Sequence, residues 1–319
     1  MNRLIKTSIF LLFICQTLCH AFTNDNTVKY KKDIEELIHS IPPISKHSIS
    51  ERINWFSEQL LNKPYQLFAL GEGQYGEFDQ HPLYRTDHFD CETLVDTVLA
   101  LAHAQSFESF EYHILAIRYQ NGRANFLTRN HFTNVDWNYN NQRKNYITDI
   151  TPKILWKNQP IYLEATTFIN KRNWYRHLTT NIIQLPHLSE TEKKSKLKAL
   201  QKLAQKHIRN TNSKLTYLPT HLLFDEQQNA RQEIFQQIPQ GAIIEIVRPQ
   251  WNLEDKIGTQ LDVSHLGFAI WKNNVLYFRN ASSVYHQVFD EKLENYLKKT
   301  LDSPTIKGIH IEKTLELIS

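Results

Sequence analysis

The clearest structural pattern in the chain is HFDCETLVDTVLALAHA, residues 88–104. Its apolar side chains recur at helical spacing, which predicts a helix from Cys91 to about His103. Asp90 is a favourable N-cap residue, so Cys91 takes the first helical position. Free N–H groups and the positive end of the helix dipole stabilise anions there, so we expect the pKa of this thiol to be lowered. The pattern predicts a cysteine nucleophile. A small buried cysteine at the start of a core helix is the alternative.

The cysteine count strengthens this interpretation. The chain has three cysteines, Cys15, Cys19 and Cys91. Residues 1–21 have the order of a secretory signal peptide, with basic residues, a short apolar run and then Ala21 at the expected cleavage point. Cleavage would leave Cys91 without a partner in a compartment that oxidises pairs of thiols. We therefore expect a periplasmic or secreted protein. A lipid anchor at Cys19 or an uncleaved N-terminal anchor is the alternative.

Composition sets the broad class. The 319 residues are 41% hydrophobic and carry a formal net charge of +4, which is typical of a globular chain. Loss of residues 1–21 lowers the net charge to +2, which gives no argument for a nucleic-acid partner. No later segment approaches the roughly 20 apolar residues that a membrane span needs. Without repeats or long linkers, residues 22–319 are predicted to form a single catalytic domain.

Local sequence patterns predict the helices, loops and strands of this domain. A helical lead-in is predicted up to about residue 60, a loop over 64–90 and strand-like structure over 114–119. A helical insertion around 189–210 begins with the capping box Ser189/Glu192. Its lysine-rich face is expected to be solvated, with contact to an anionic polymer as the alternative. Strands are predicted at the end of the sequence over 241–247, 263–271 and 275–281.

His265 stands out among the 15 histidines because of its strand, SHLGFAI at 264–270. Strand alternation places His265, Gly267 and Ala269 on one face and the larger apolar residues on the other. A face with two very small residues suits a closely packed helix, and we expect the Cys91 helix there. His265 is thus the predicted general base. A hydrogen-bonded core histidine is the alternative.

The following hairpin supplies a partner for His265. If Asn273-Asn274 forms a two-residue turn, Lys272 pairs with Val275, and the residue numbers of any two cross-strand partners add up to 547. Asn280 then lies opposite Gly267, and Ser282 lies opposite His265. Asn280 is therefore predicted to orient the imidazole from the diagonal position, with Ser282 in reserve. The alternative for Asn280 is a turn or edge residue.

Four motifs resemble a known family. They are LGEGQYGEFDQHPLYRTDHFDCETLVDTVLALA (70–102), RNHF (129–132), YITDIT (146–151) and DVSHLGFAIW (262–271). They resemble the DUF1460 group of N-acetylmuramoyl-L-alanine amidase-like proteins, within the NlpC/P60 superfamily of cysteine peptidases. The resemblance implies a papain-like α+β fold, with the cysteine helix packed on an antiparallel sheet and with extra helices. It also implies peptidoglycan or a muropeptide as substrate, no cofactor, and a Cys–His–polar set at Cys91, His265 and Asn280.

The chain also departs from the superfamily. Many members have Ser-Gly after the cysteine and histidine as the third residue, whereas Glu92-Thr93 and Asn280 stand here. This departure weakens any transfer of specificity for the stem peptide. Tyr65 resembles the superfamily's tyrosine near the substrate amine. Further candidates for substrate contact, each equally compatible with a structural role, are Glu72, Tyr84, Asp90 and Ser282.

Together these features predict a peptidoglycan hydrolase that cleaves an amide bond, most simply the bond between the muramoyl group and L-alanine. An endopeptidase cutting between γ-D-Glu and diaminopimelate, and transfer to an amine instead of water, are alternatives within the enzyme class. A zinc amidase and a non-catalytic wall-binding protein are alternatives from other classes. No His-Glu-x-x-His motif occurs, so no metal site is predicted.

Overall fold

The computed structural model describes residues 27–41, 47–68 and 70–317. The predicted signal peptide, with Cys15 and Cys19, lies outside the described residues. Within them, helix α1 covers 27–40. The helices that follow are α2 (Ile49–Gln59), α3 (Cys91–His103), α4 (Phe107–Arg118), α5 (Tyr139–Arg143), α6 (Lys171–His177), α7 (Glu190–His207), α8 (Gln232–Phe235), α9 (Glu254–Ile257) and α10 (Leu293–Lys298). A π-helix covers Thr133–Asn138 and leads into α5.

The strands form one large antiparallel sheet and a small hairpin. The strands are β1 (Ile147–Asp149), β2 (Leu155–Trp156), β3 (Gln159–Pro160), β4 (Leu163–Ile169), β5 (Thr211–Pro219), β6 (Ile243–Leu253), β7 (Thr259–Lys272), β8 (Val275–Ser282), β9 (Gln287–Lys292) and β10 (Gly308–Thr314). The large sheet has the order β4-β5-β10-β6-β7-β8-β9, with β1 also paired to β10, and β2-β3 stands apart. The predicted α+β class is confirmed.

The predicted starts of α3 and α7 are confirmed by their caps, and α2 begins with a cap of the same kind. The Ser48 side chain caps α2, Asp90 caps α3 and Ser189 caps α7, each in a reciprocal capping box. A cap of this kind satisfies backbone N–H groups that have no acceptor within the helix, which explains why these sequences start helices there.

The strand-like structure predicted over 114–119 is wrong, because 114–118 belong to α4. Ser106 caps this helix in a capping box with Ser109. Phe110, Ile114 and Ile117 are fully buried and lie three to four residues apart, so they form one helical stripe. The short apolar run by itself is compatible with a strand, but the Ser106 cap upstream makes the segment helical.

The large sheet separates two apolar cores because alternate residues point to opposite faces. On β6, Ile243 packs in the core that contains α3, whereas Ile244 packs in the core that contains α8 and α10. On β7, the side chains that share the core of α3 are those of Leu266, Phe268 and Ile270. Helix α3 thus lies on one face of the sheet, and α10 lies on the other.

Arginine 279 ties α2 to this sheet. Its side chain is fully buried and makes paired hydrogen bonds with Asp290 at 2.7 and 2.8 Å. It also donates to the Asn54 carbonyl and the Ser57 hydroxyl on α2. Charge-assisted bonds of this geometry are stronger than neutral ones, so β8 is held firmly where the site is built.

Helix α7 carries its predicted lysine-rich face towards solvent. Leu200 and Ala204 are buried on its inner side. Lys193 pairs with Glu190, and Lys196 pairs with Glu77. The remaining lysines of this face are exposed at Lys194, Lys198, Lys202 and Lys206. Across the residues described above, no helix is both long and apolar enough to cross a bilayer.

Candidate active site

Cys91 is the first residue of α3, as predicted. Asp90 Oδ1 accepts the Thr93 N–H at 2.9 Å, and Thr93 Oγ1 accepts the Asp90 N–H at 2.9 Å. This reciprocal pair fixes the backbone on both sides of the cysteine. Cys91 carries a free thiol, and the residue is partly exposed.

An extended segment holds Tyr65 beside this cysteine. The Tyr65 N–H donates to the His286 carbonyl, and the Gln66 N–H donates to the Phe89 carbonyl, both at 2.9 Å. Residues 64–66 therefore bridge the turn before β9 and the residues before α3. Burial raises the pKa of Tyr65 to about 12, and electrostatic interaction with Cys91 and Asp90 adds to this rise. The predicted substrate tyrosine thus lies close to the thiol.

The predicted lowering of the Cys91 pKa is wrong. Burial raises the pKa of the thiol, and the neighbouring Asp90 and Glu92 carboxylates raise it further. The backbone N–H groups of Leu266 and Glu92 act in the opposite direction and lower it. The helix start does stabilise the anion, but loss of water and two nearby negative charges outweigh it. The resting side chain is therefore a protonated thiol.

His265 contacts Asn280 as the hairpin register predicts. In the pairing of β7 with β8, Lys272 lies opposite Val275 and Phe268 lies opposite Arg279, which confirms the predicted hairpin register. His265 Nε2 lies 2.9 Å from Asn280 Oδ1. The Asn280 Nδ2 donates to the Phe278 carbonyl at 3.2 Å, which turns Oδ1 towards the imidazole. Nε2 therefore carries the proton, and the lone pair lies on Nδ1.

The predicted packing of α3 over the His265 face is wrong. Alternation along β7 places His265 on the opposite face, where its ring meets Phe278 and Tyr296. Gly267 has a different purpose from admitting a helix. A Cβ there would lie 2.5 Å from the Arg279 carbonyl oxygen and 2.8 Å from Asn280 Cβ. The missing side chain therefore lets β8 and Asn280 approach the histidine.

Cys91 and His265 nevertheless share one site. The thiol interacts with the backbone N–H of Leu266, the residue after the histidine. The Asp90 charge acts on His265 and raises its pKa, although burial lowers that pKa overall. The register of β6 against β7 shifts immediately beyond the pair Ile246–His265. Irregularities of this kind re-aim side chains next to active sites, and this one lies directly beside the histidine.

Tyr296 on α10 lies near both residues, and no pattern in the sequence points to it. Its ring stacks on His265 with centroids 6.3 Å apart and planes inclined by 20°. Burial raises the pKa of its phenol, and electrostatic interaction with Cys91 raises it further. Tyr296 lies in a short helix with no motif, more than 200 positions from Cys91 in the chain. Only the packing of α10 reveals it.

Glu72 lies in a buried polar cluster of the 70–84 loop. Only 5% of the residue is exposed. Burial raises its pKa to about 7, while the Arg129 charge lowers it and the Asp79 charge raises it. The structure therefore shows a perturbed carboxyl group in the loop before α3, but no contact between it and Cys91.

The remaining substrate candidates have structural contacts. Tyr84 packs edge-on against Phe107 and Phe110 in the core. Ser282 Oγ accepts the backbone N–H groups of Val284 and Tyr285, so it shapes the β8–β9 turn instead of orienting His265. Asp90 uses both carboxyl oxygens within the protein, on the Thr93 and Phe68 N–H groups.

The arrangement suits attack on a carbonyl. It brings together a nucleophilic atom, an imidazole with a free nitrogen, and an amide that fixes the imidazole tautomer. The first backbone N–H groups of α3 have no acceptor within the helix and can hold an oxyanion beside the sulfur. Within 27–41, 47–68 and 70–317, no group of three or more His, Cys, Asp or Glu side chains has the arrangement of a metal site.

Comparison with known proteins identifies the family of this chain. The family described as AmiA-like, N-acetylmuramoyl-L-alanine amidase-like, matches residues 55–306. A Legionella pneumophila str. Philadelphia 1 protein of the DUF1460 family has a solved structure that is 42% identical. It aligns with 92% of this chain and 97% of its own, with a TM-score of 0.88. A search of curated proteins finds no match.

Two more distant structures share the fold. A Bacteroides uniformis structure named N-acetylmuramoyl-L-alanine amidase is 22% identical over 84% of this chain and 99% of its own, with a TM-score of 0.58. A Bacteroides fragilis structure named putative xylanase is 21% identical over 81% and 99%, with a TM-score of 0.56. At this identity they show the fold alone. The family match spans most of the chain, and the protein therefore belongs to the N-acetylmuramoyl-L-alanine amidase-like family.

Proposed function

We propose that this protein is a peptidoglycan hydrolase that cleaves an amide bond with Cys91 as nucleophile, His265 as general base and Asn280 as the group that orients the imidazole. The observation that carries the proposal is the set of contacts around His265. Its Nε2 is bound to Asn280, its ring is stacked on Tyr296, and its strand neighbour Leu266 meets the thiol.

The reaction starts from two neutral side chains. Burial raises the pKa of Cys91 and lowers that of His265, so neither group is charged at neutral pH. Nδ1 of His265 removes the thiol proton as the sulfur attacks the amide carbonyl. The resulting imidazolium then protonates the leaving amine, which leaves an acyl group on Cys91 as a thioester.

Water completes the cycle. The neutral imidazole takes a proton from a water molecule, which attacks the thioester and releases the acid and the free thiol. Backbone N–H groups at the start of α3 stabilise the oxyanion in both steps. Asn280 keeps the proton on Nε2, so Nδ1 is always the nitrogen that exchanges it.

The bond between the muramoyl group and L-alanine is the proposed target, because the family is named for it. We also propose that the chain belongs to the NlpC/P60 superfamily, since its cysteine helix and histidine strand meet as that resemblance implies. Export by residues 1–21 follows from the sequence pattern and would bring the enzyme to the periplasm or the cell exterior.

Digestion of purified peptidoglycan tests the proposal. Wild type and Cys91→Ala are incubated with the same sacculi, and the released products are identified by mass spectrometry. We expect wild type to release stem peptides with a new L-alanine amino terminus. A new amino terminus on diaminopimelate would identify an endopeptidase, and products that do not depend on Cys91 would overturn the proposed mechanism.

A further inference from the structure

An exposed apolar residue stands beside the nucleophile. The Phe68 side chain is 81% exposed, and its neighbour Leu67 is 53% exposed. Residues 65 and 89 are bridged in parallel, so the chain that continues from Tyr65 runs alongside the residues that lead into Cys91. The apolar ring therefore lies at the site and not on a remote surface.

The backbone of Phe68 is held in an unfavourable conformation. Its φ is +56°, in the left-handed region that bulky side chains rarely adopt. The Phe68 N–H donates to Asp90 Oδ2 at 3.3 Å, and the other oxygen of the same carboxylate caps α3. One side chain thus fixes both the nucleophile and the exposed ring. Strain of this kind persists where the surrounding structure imposes it, often at ligand sites.

A second apolar edge faces the same segment. Val284 is 77% exposed and Tyr285 is 48% exposed, both in the turn between β8 and β9. The bond from the Tyr65 N–H to the His286 carbonyl joins this turn to the segment that bears Phe68. We call these four residues, Leu67, Phe68, Val284 and Tyr285, the apolar rim. None of the four is charged, so the rim suits a neutral ligand with an apolar face.

The substrate of the proposed reaction contains such a group. The stem peptide carries free carboxylates, which would call for basic side chains at their binding surface. The sugar residue next to the scissile amide is different, because its lactyl carboxyl group is consumed in that amide. It is a neutral pyranose ring with an N-acetyl group and a face made of C–H groups.

We propose that Phe68 is the binding platform for the N-acetylated pyranose ring on the acyl side of the scissile amide. The sugar ring lies on the phenyl face, removes apolar surface of both groups from water and presents its lactyl carbonyl to Cys91. This inference rests on the proposed function and extends it, because it assigns the glycan side of the substrate to a specific residue.

Binding to the inactive Cys91→Ala protein tests the platform. The two probes are a disaccharide-tripeptide muropeptide and the same tripeptide acylated with lactate, which keeps the amide but lacks the sugar. Their dissociation constants are measured by calorimetry with and without Phe68→Ala. We expect Phe68→Ala to weaken muropeptide binding about tenfold and to change binding of the lactyl peptide by less than about twofold.

Three further variants separate the ring from other causes. Phe68→Tyr keeps the aromatic face and is expected to bind like its parent. Phe68→Gly relieves the strained φ and is expected to lose affinity as Phe68→Ala does. Tyr112→Ala removes an aromatic side chain that is 67% exposed on α4 and is expected to change neither affinity.

The platform is overturned if Phe68→Ala leaves muropeptide binding unchanged, or if it weakens both probes equally. It is also overturned if Phe68→Gly binds the muropeptide as tightly as the parent. Failure of the proposed function would look different, because wild type would then release no L-alanine amino terminus from the muropeptide, or Cys91→Ala would release it as well, whatever residue stands at position 68.

Discussion

At the scale of single residues, the site depends on the charge state of two side chains. Burial raises the Cys91 pKa and lowers the His265 pKa, so the resting pair is neutral and not a thiolate–imidazolium ion pair. The sequence places Cys91 at a helix start, and that position alone favours the thiolate. The two carboxylates next to the thiol, Asp90 and Glu92, reverse the expected shift.

We expect Asn280 to set the lower pH limit of activity in the proposed mechanism. His265 acts as a base only when neutral, so activity falls as the pH drops through its pKa. The bond to Asn280 favours the charged imidazole and raises that pKa. We expect Asn280→Ala to move the acid limb of the kcat/KM profile to lower pH and to reduce kcat by about tenfold or more. Asn280→Asp should move the limb to higher pH. An unmoved limb in both variants would contradict this role.

At the scale of elements, the cap of α3 connects stability with reactivity. The Asp90 carboxylate caps the start of the helix and raises the pKa of Cys91 at the same time. These two effects can be separated, because asparagine caps a helix nearly as well as aspartate but carries no charge.

Two substitutions at Asp90 separate them. We expect Asp90→Ala to lower the free energy of unfolding by about 1 kcal/mol, and Asp90→Asn to lower it by only a few tenths, as measured by urea denaturation. Both remove the negative charge, so both should lower the Cys91 pKa and shift the pH dependence of iodoacetamide labelling to lower pH. Labelling that follows the wild-type curve in both variants would show that the charge does not act on the thiol.

Local patterns predicted some elements and not others. The Asp90 cap and the Asn273-Asn274 turn are short-range signals, so α3 and the β7–β8 register follow from the sequence. The Asn280 contact follows from that register. The apolar run at 114–119 is short enough to predict a strand, whereas the signal for helix α4 is the Ser106 cap, which lies upstream of that run. The side of the sheet that α3 covers depends on packing between distant segments, which alternation along β7 does not determine.

At the scale of the whole molecule, a buried charged cluster lies in the centre of the sheet. His310 on β10 bonds through Nε2 to Glu312 at 3.0 Å, with side-chain exposures of 3% and 0%. Glu245 on β6 lies opposite His310 and is also fully buried. Local sequence patterns do not predict this cluster, because strand β10 lies between β5 and β6 in the sheet but far from both in the chain.

This cluster makes stability depend on pH. The neighbouring carboxylates overcome burial and raise the pKa of His310 from 6.5 to about 9, and burial raises that of Glu245 from 4.5 to about 8. Both pKa values lie above those of the unfolded chain, so the stabilisation is complete at low pH and is lost as the pH rises through these values. For His310, we expect the free energy of unfolding to fall by up to about 3 kcal/mol between pH 6 and 10.

His310→Gln is the variant that checks this dependence. It should be less stable than wild type at pH 6 and should show a flatter decline towards pH 10 in urea denaturation series. A decline as steep as that of wild type would mean that other groups cause it. His177→Gln, which changes an exposed histidine on α6, is the matched control.

If Cys91 is the nucleophile, its replacement by alanine must abolish hydrolysis of the amide bond. The measurement is kcat/KM on one defined muropeptide, for wild type and Cys91→Ala, with and without a metal chelator. We predict a loss of at least about 10⁴-fold in the variant and no effect of the chelator on wild type. A variant that keeps its activity, or a wild type that the chelator inactivates, would contradict the cysteine mechanism.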